Sequence, residues 1–264
     1  MPKSPNRKVH AVPAVTTSSS GLTRRHLVAP AARPVPRIAH RRCRAQGRSA
    51  LPAPPGPGDH EEVFQVRIHG RVGQGVVAAA ELLSKAAFDE GHHAQAFPSF
   101  VSERMGAPVV SFCRIDARPI RSHEPVTEPD AVIVQDATLV HQVDLFRGID
   151  SGTYVLVNTS TTFAELGLAE LAATSRPGRL VTCPATAIAL EYLGRQLPNV
   201  ALLGGFAALT GRISLGALER AVGERFGGAV GAANAAAARA AHDFVTDEVL
   251  ESQSRGEVAG ARAD

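Results

Sequence analysis

A chain of 264 residues is long enough to bury a substantial core without disulfides or metals, and one domain with a tail is its simplest division. Charge is unevenly placed: residues 1–58 hold 11 of the 28 Lys/Arg and no Asp or Glu, leaving 17 basic against 25 acidic residues, a net −8, in the remainder. The pI near 9 therefore describes the tail, and with no stripe of Lys/Arg interleaved with aromatics in the body, a nucleic-acid partner is set aside.

The three cysteines, Cys43, Cys113 and Cys183, lie far apart and none forms a CxxC pair. This spacing excludes an intrinsic four-cysteine iron-sulfur cluster and a zinc ribbon within the chain, and it fits a reducing cytoplasm. No apolar run reaches 18 residues, so no membrane span is expected. Thr23-Arg24-Arg25-His26-Leu27 has a faint twin-Arg look, but Arg33, Pro34, Pro36 and Arg37 interrupt the apolar segment that export requires.

In chain order, residues 1–60 come first, with ten of the 18 prolines before residue 59 and no hydrophobic period. They are expected to be a disordered basic tail. An Arg-rich transit peptide, a basic interaction tail and upstream sequence from a misplaced start are its three readings. The last is favoured because no methionine lies between Met1 and Met105. The folded body is expected over residues 61–251, with residues 252–264 frayed.

From Val63 the pattern becomes α/β. Val63–His69 alternates and ends at Gly70, which predicts a first strand running into a glycine turn. A buried helix follows over Gly73–Glu90, with Glu81 and Lys85 as an exposed i,i+4 pair and Gly91 as its stop. Further strands are expected at His93–Phe97, Val109–Ile115, Ala131–Val134, Tyr154–Val157 and Leu180–Cys183. The last three lack polar alternation, as strands buried on both faces of a mostly parallel sheet do. Helices are expected at Ala185–Gln196, Val200–Gly211, Leu215–Phe226 and Ala229–Leu250, with Asn199 and Ser214 as N-caps. The fold class expected is a three-layer α/β domain, a mostly parallel sheet with flanking helices and a Rossmann-like first βα turn.

Strand, then Gly70-Arg71-Val72-Gly73-Gln74-Gly75, then helix is the sharpest feature. Glycines let backbone approach a ligand, and the amides at a helix N-terminus offer unpaired donors and a positive dipole end to phosphate. Gly70, Arg71, Gly73, Gln74 and Gly75 are therefore the candidate cofactor-binding residues. A tight turn without a ligand is the competing reading. The spacing is GxxGxG rather than GxGxxG, and Gln95 stands where a ribose-binding acid would, so NAD is disfavoured. No Lys-Ser/Thr follows, so it is not a Walker A loop.

Residues 68–115 carry three ordered segments: Ile68-His69-Gly70-Arg71-Val72-Gly73-Gln74-Gly75 onward, Ala94-Gln95-Ala96-Phe97-Pro98-Ser99-Phe100, and Glu103-Arg104-Met105-Gly106-Ala107-Pro108-Val109 through Phe112-Cys113-Arg114-Ile115. Together with Pro129–Val134, Asp136–Leu139 and Asn199–Gly211, they resemble the gamma chain of the pyruvate and related 2-oxoacid:ferredoxin oxidoreductases. The resemblance covers residues 63–246. It implies a subunit of an enzyme that decarboxylates a 2-oxoacid oxidatively to an acyl-CoA and passes electrons to ferredoxin or a similar acceptor. It also implies partner chains that carry thiamine diphosphate and the iron-sulfur clusters, and coenzyme A at the glycine loop of this one. No catalytic acid, base, nucleophile or metal ligand is expected here, and no activity from the chain alone. The family pattern has glycine where Val72 and Val101 stand, and a Cβ at either place narrows the ligand's room or demands a different φ. The alternatives are a non-catalytic structural subunit of the same complex and a stand-alone nucleotide-binding oxidoreductase.

Secondary candidates each have two readings. Arg71 and Arg114 would neutralise phosphates or lie solvated at the surface. Glu103-Arg104 would contact cofactor or partner, or pair internally. Asp136, Thr138 and Asn158-Thr159-Ser160 would touch ligand or cap the next helix. His92, His93 and Cys113 are expected to be structural, and Gly204, Gly205, Ala207 and Ala208 would admit a close helix or a subunit.

Overall fold

Alternation beginning at Val63 builds β1 (Phe64–Arg71), and the glycines after it turn the chain into α1 (Val76–Asp89). The structure, a computed structural model, describes residues 63–99 and 104–260, with side chains through residue 254. The tail over residues 1–60, Val101 and Glu103 lie outside the described residues. After α1 come β2 (His93–Ser99), β3 (Pro108–Asp116), β4 (Ala131–Val134), a 3-10 turn (Ala137–His141) and β5 (Tyr154–Asn158). The short α2 (Ala169–Thr174), β6 (Leu180–Cys183), α3 (Ala185–Leu193), α4 (Asn199–Thr210), α5 (Leu215–Phe226) and α6 (Gly228–Gly260) complete the described chain.

One six-stranded sheet has the order β2-β3-β1-β4-β5-β6. β3 runs antiparallel to both of its neighbours, whereas β1, β4, β5 and β6 pair in parallel. The chain thus leaves β1 toward one edge and later returns to build toward the other. The reversal falls between β1 and β4, and a crevice opens at the carboxyl ends of the strands at such a switch point.

Parity along the strands sorts the layers. Phe64, Val66, Ile68, Ala131, Ile133 and Leu156 face the helices, where they join residues of α1, α3, α4, α5 and α6 in one large core. Val132, Val134, Val155 and Val157 face the other way, against Leu139, Leu145, Phe163 and Leu166 from the 3-10 turn and irregular chain. Apolar on both faces, β4 and β5 show no alternation for this reason. Arg67 points into the second layer, only 6% exposed, and donates to the carbonyl oxygens of Leu145 and Arg147 at 2.8 Å each and of Val126 at 3.5 Å. Its guanidinium ties the irregular layer to β1 without a carboxylate.

Several boundaries differ from expectation, each with a local cause. α1 starts at Val76 rather than Gly73, because Gly73 and Gly75 sit at φ 100° and 73°, outside the right-handed helix. Glu81 and Lys85 do not pair with each other. α5 packs beside α1, so Lys85 meets Asp89 at 2.9 Å and Glu224 at 3.0 Å while Glu81 meets Arg225 at 3.0 Å. α3 stops at Leu193, where Gly194 turns left-handed at φ 64°, short of the expected Gln196. Pro198, not Asn199, caps α4, whereas Ser214 caps α5 as expected, its Oγ accepting from Ala217 N at 3.1 Å. α6 passes Leu250 and the expected onset of fraying at Ser252 to end at Gly260. Its alanines favour the helix, buried Val245 and Val249 anchor it, and Ser252 Oγ accepts from Gly178 N at 3.1 Å.

Candidate functional site

The five glycine-loop candidates come together at the carboxyl end of β1, beside the switch point. Gly75 is the N-cap of α1 in the left-handed region, and no side chain caps the helix. The first intrahelical bond runs from Ala79 N to Gly75 O at 2.9 Å, so the amides of Val76–Ala78 remain donors at the positive end of the helix dipole. The loop itself is stitched in place. Val72 N donates to Ala107 O at 2.9 Å and Gly106 N to Val72 O at 3.2 Å, joining it to the turn before β3. Val72 directs its half-buried side chain against the helical core. Its Cβ is thereby accommodated by packing in the position where the family pattern has glycine.

Gly70 and Gly75 are crowded by neighbouring side chains, and Gly73 and Gly75 are further held by positive φ, whereas the exposed Met105 beside Gly73 can move aside. A Cβ on Gly70 would stand 2.6 Å from Val76 Cγ2, one on Gly73 2.9 Å from Met105 Cε, and one on Gly75 2.5 Å from Asn199 Nδ2. Asn199, expected as a cap, instead donates its side-chain amide to Gly75 O at 3.4 Å and ties α4 to the start of α1.

Arg71 is neither free for a phosphate nor solvated. Its Nε donates to Asp136 Oδ2 at 3.0 Å, and its terminal nitrogens to Gly106 O at 3.0 Å, Thr138 Oγ1 at 2.8 Å and Gln142 Oε1 at 2.9 Å. Gln74 bridges the same groups, accepting from Arg71 N at 2.8 Å and donating to Asp136 Oδ2 at 3.0 Å. Asp136 also caps the 3-10 turn by accepting from Thr138 N at 3.0 Å, the capping role that was one of its two readings. Partial burial pushes its carboxyl up, yet the bonds from Thr138 and Gln74 and the Arg71 charge outweigh this and hold it below the usual carboxylate range.

Other candidates disperse. Arg114 is 4% exposed, lies over the Phe97 ring at 5.1 Å and donates to Gln65 Oε1 and to the carbonyls of Ser122 and Glu124, so both readings made for it are corrected. Asn158 bridges Gln135 O at 2.8 Å and Thr186 Oγ1 at 2.7 Å and accepts from Thr186 N at 3.0 Å, locking β5 to the start of α3. Cys113 and Cys183 are buried, and burial pushes the Cys183 thiol up to about 12. Gly204 approaches the backbone of Ala238, so the small-residue face of α4 receives α6 of the same chain. Among the described residues no group of three His, Cys, Asp or Glu could hold a metal, and no helix is long and apolar enough to cross a membrane. A cleft of about 960 Å³ lies at the opposite, amino ends of β1, β4 and β5, lined by Phe64, Asp130, Tyr154 and Arg179 among others. It has no helix N-terminus of the glycine-loop kind.

Sequence reasoning missed Gln135 and the loop contact of Asn199. Gln135 follows β4 directly, and its polarity after four apolar residues at a strand's carboxyl end was the available signal.

Fold and site define an α/β protein with an uncapped helix start at the switch point of a mostly parallel sheet. The family described as pyruvate ferredoxin/flavodoxin oxidoreductase matches residues 65–244. The chain is 46% identical over 181 residues to the pyruvate synthase subunit PorC of Methanothermobacter marburgensis, covering 69% of this chain and 97% of that protein. It is also 46% identical over 179 residues to the pyruvate/ketoisovalerate oxidoreductases common subunit gamma of Thermococcus kodakarensis, covering 68% and 95%. The crystal structure of pyruvate oxidoreductase subunit PORC of Thermotoga maritima superposes with a TM-score of 0.59 at 33% identity, covering 69% of this chain and 97% of that one. A 2-oxoglutarate:ferredoxin oxidoreductase from Magnetococcus marinus, solved with 2-oxoglutarate, coenzyme A and succinyl-CoA, shares the fold at 17% identity and a TM-score of 0.55, over 71% of this chain and 32% of that one. The chain belongs to the pyruvate ferredoxin/flavodoxin oxidoreductase family, as the gamma subunit of a 2-oxoacid:ferredoxin oxidoreductase complex.

Proposed function

We propose that this subunit receives phosphates of coenzyme A on the first turn of α1 and completes the interface at which its complex converts a 2-oxoacid to an acyl-CoA. The carrying observation is the uncapped start of α1, with the amides of Val76–Ala78 unpaired at the switch point. Gly73 and Gly75 take the positive φ that turns the chain from β1 into α1, and the Arg71–Gln74–Asp136 network holds the loop's shape. Coenzyme A supplies the thiol that takes up the acyl group. This chain's residues bind and orient; none stands as acid, base or nucleophile. The 2-oxoglutarate enzyme of the same fold was solved with coenzyme A bound, which agrees with this reading. On the proposed reading of this chain, thiamine diphosphate and iron-sulfur clusters reside in its partner subunits, electrons pass to ferredoxin or a similar acceptor, and the complex works in the cytoplasm.

The test is to express the complex with and without this chain and to follow 2-oxoacid- and CoA-dependent dye reduction. Activity is expected to vanish without the chain, and undiminished activity would refute its role. A second reading, a structural subunit that binds no cofactor, draws on the loop glycines' contacts with Met105 and Asn199 and on the engagement of Arg71 by Asp136. Calorimetry of the assembled complex with coenzyme A separates the two, since only the first predicts binding heat, and predicts weaker binding when Val76→Pro removes one of the α1 amides.

A further inference from the structure

We infer that Gln135 is a ligand-responsive residue of the glycine-loop site, its carboxamide donating to the anionic group received by the α1 amides. The inference rests on the reading of that loop as a phosphate-receiving site.

The backbone of Gln135 is fixed on both sides: its N–H donates to His69 O at 2.8 Å and its carbonyl accepts from Asn158 Nδ2 at 2.8 Å. Parity places its side chain with Ala131 and Ile133 on the helix face of β4. A Cβ on Gly70 would lie 3.2 Å from Gln135 Cβ and 2.6 Å from Val76 Cγ2, so this side chain starts beside the first residue of α1. It is 1% exposed, yet among the described residues neither its Oε1 nor its Nε2 has a partner.

The other carboxamides of the same rim are all engaged. Gln74 bonds Arg71 and Asp136, Asn158 bonds Thr186, and Asn199 bonds Gly75. An amide buried without a partner loses its water bonds and recovers nothing, so an apolar side chain of equal length would give a more stable fold. Gln135 lies at the switch point against an uncapped helix start, where a phosphate would meet donors from above. The side chain has three rotatable torsions with which to bring Nε2 toward the same oxygens. A residue that destabilises the unliganded protein and gains its bond only with ligand couples binding to tightening of the site.

The test uses the full chain purified with its partner subunits, comparing wild type, Gln135→Met and Gln135→Glu. Melting is followed without ligand, and binding of coenzyme A and of inorganic pyrophosphate by calorimetry. Gln135→Met is expected to melt at the same temperature or higher and to bind coenzyme A about tenfold more weakly, the loss of one hydrogen bond to a charged group. Gln135→Glu, which keeps the size but repels phosphate, is expected to bind both probes more weakly still. A lower melting temperature in Gln135→Met overturns the inference, because the carboxamide is then satisfied without ligand. Equal affinities in all three chains overturn it as well. A wild-type complex that binds neither probe is a separate result and refutes the reading of the loop itself.

Discussion

Arg71 illustrates how a residue's role depends on what the fold brings to it. In sequence it stands inside a glycine loop, an obvious partner for phosphate, yet Asp136 arrives from 65 positions away and takes its Nε–H. His69, two residues earlier, is a different case. It is 8% exposed on the second face of β1, and burial, reinforced by the Arg67 charge, pushes its imidazole down to about 3. The folded protein therefore keeps His69 neutral where the unfolded chain takes up a proton, so stability is complete above pH 6.5 and declines as pH falls toward 3. Between pH 6.5 and 5 the loss is about 2 kcal/mol, from about 1.4 kcal/mol per pH step. Urea unfolding at the two pH values should show this decline in the wild type and a shallower one in His69→Leu. Equal slopes would mean that His69 protonates readily in the fold.

At the scale of elements, periodicity located almost every strand and helix, and handedness determined where helices begin and end. β4, β6 and α5 occupy the expected residues because apolar runs and a Ser cap mark them locally. α1 and α3 are shorter than expected because Gly73, Gly75 and Gly194 take positive φ, a property of conformation that glycine permits and composition does not announce. The partners of Glu81 and Lys85 come from α5, beyond the reach of an i,i+4 rule. Helix contact also explains Gly204, where a Cβ would collide with the carbonyl oxygen of Ala238 on α6. Gly204→Ala should force α4 and α6 apart and cost about 1–3 kcal/mol, despite the better helix propensity of alanine. A thermal melt of the variant that matched or exceeded the wild type would show that this contact can relax.

Over the whole molecule, one long helix closes the fold. α6 packs on α3, α4, α5 and the edge strand β6, with Ala237, Ala238, Ala241, Val245 and Val249 buried. Ending the chain after residue 240 removes the buried Val245 and Val249, each worth about 1.5–3 kcal/mol, from a domain with a net stability of about 5–15 kcal/mol. That shorter chain is expected to lose cooperative unfolding, as seen by circular dichroism on heating. A sharp transition in it would mean that the sheet, the first five helices and the start of α6 suffice.

The sequence by itself determined the α/β class, the glycine turn before α1 and the family, since these depend on local periodicity and on ordered segments that survive without coordinates. Only the tertiary structure decided the site. It withdrew Arg71 into a network with Asp136 and buried Arg114 in carbonyls. It turned Val72 into the core and set Gln135 unpartnered under the start of α1. The physical reason is that hydrogen-bond partners at this rim come from β1, β4, β5, α3 and α4, up to 124 residues apart, and parallel strands reveal which of their ends meet only once the crossovers are made.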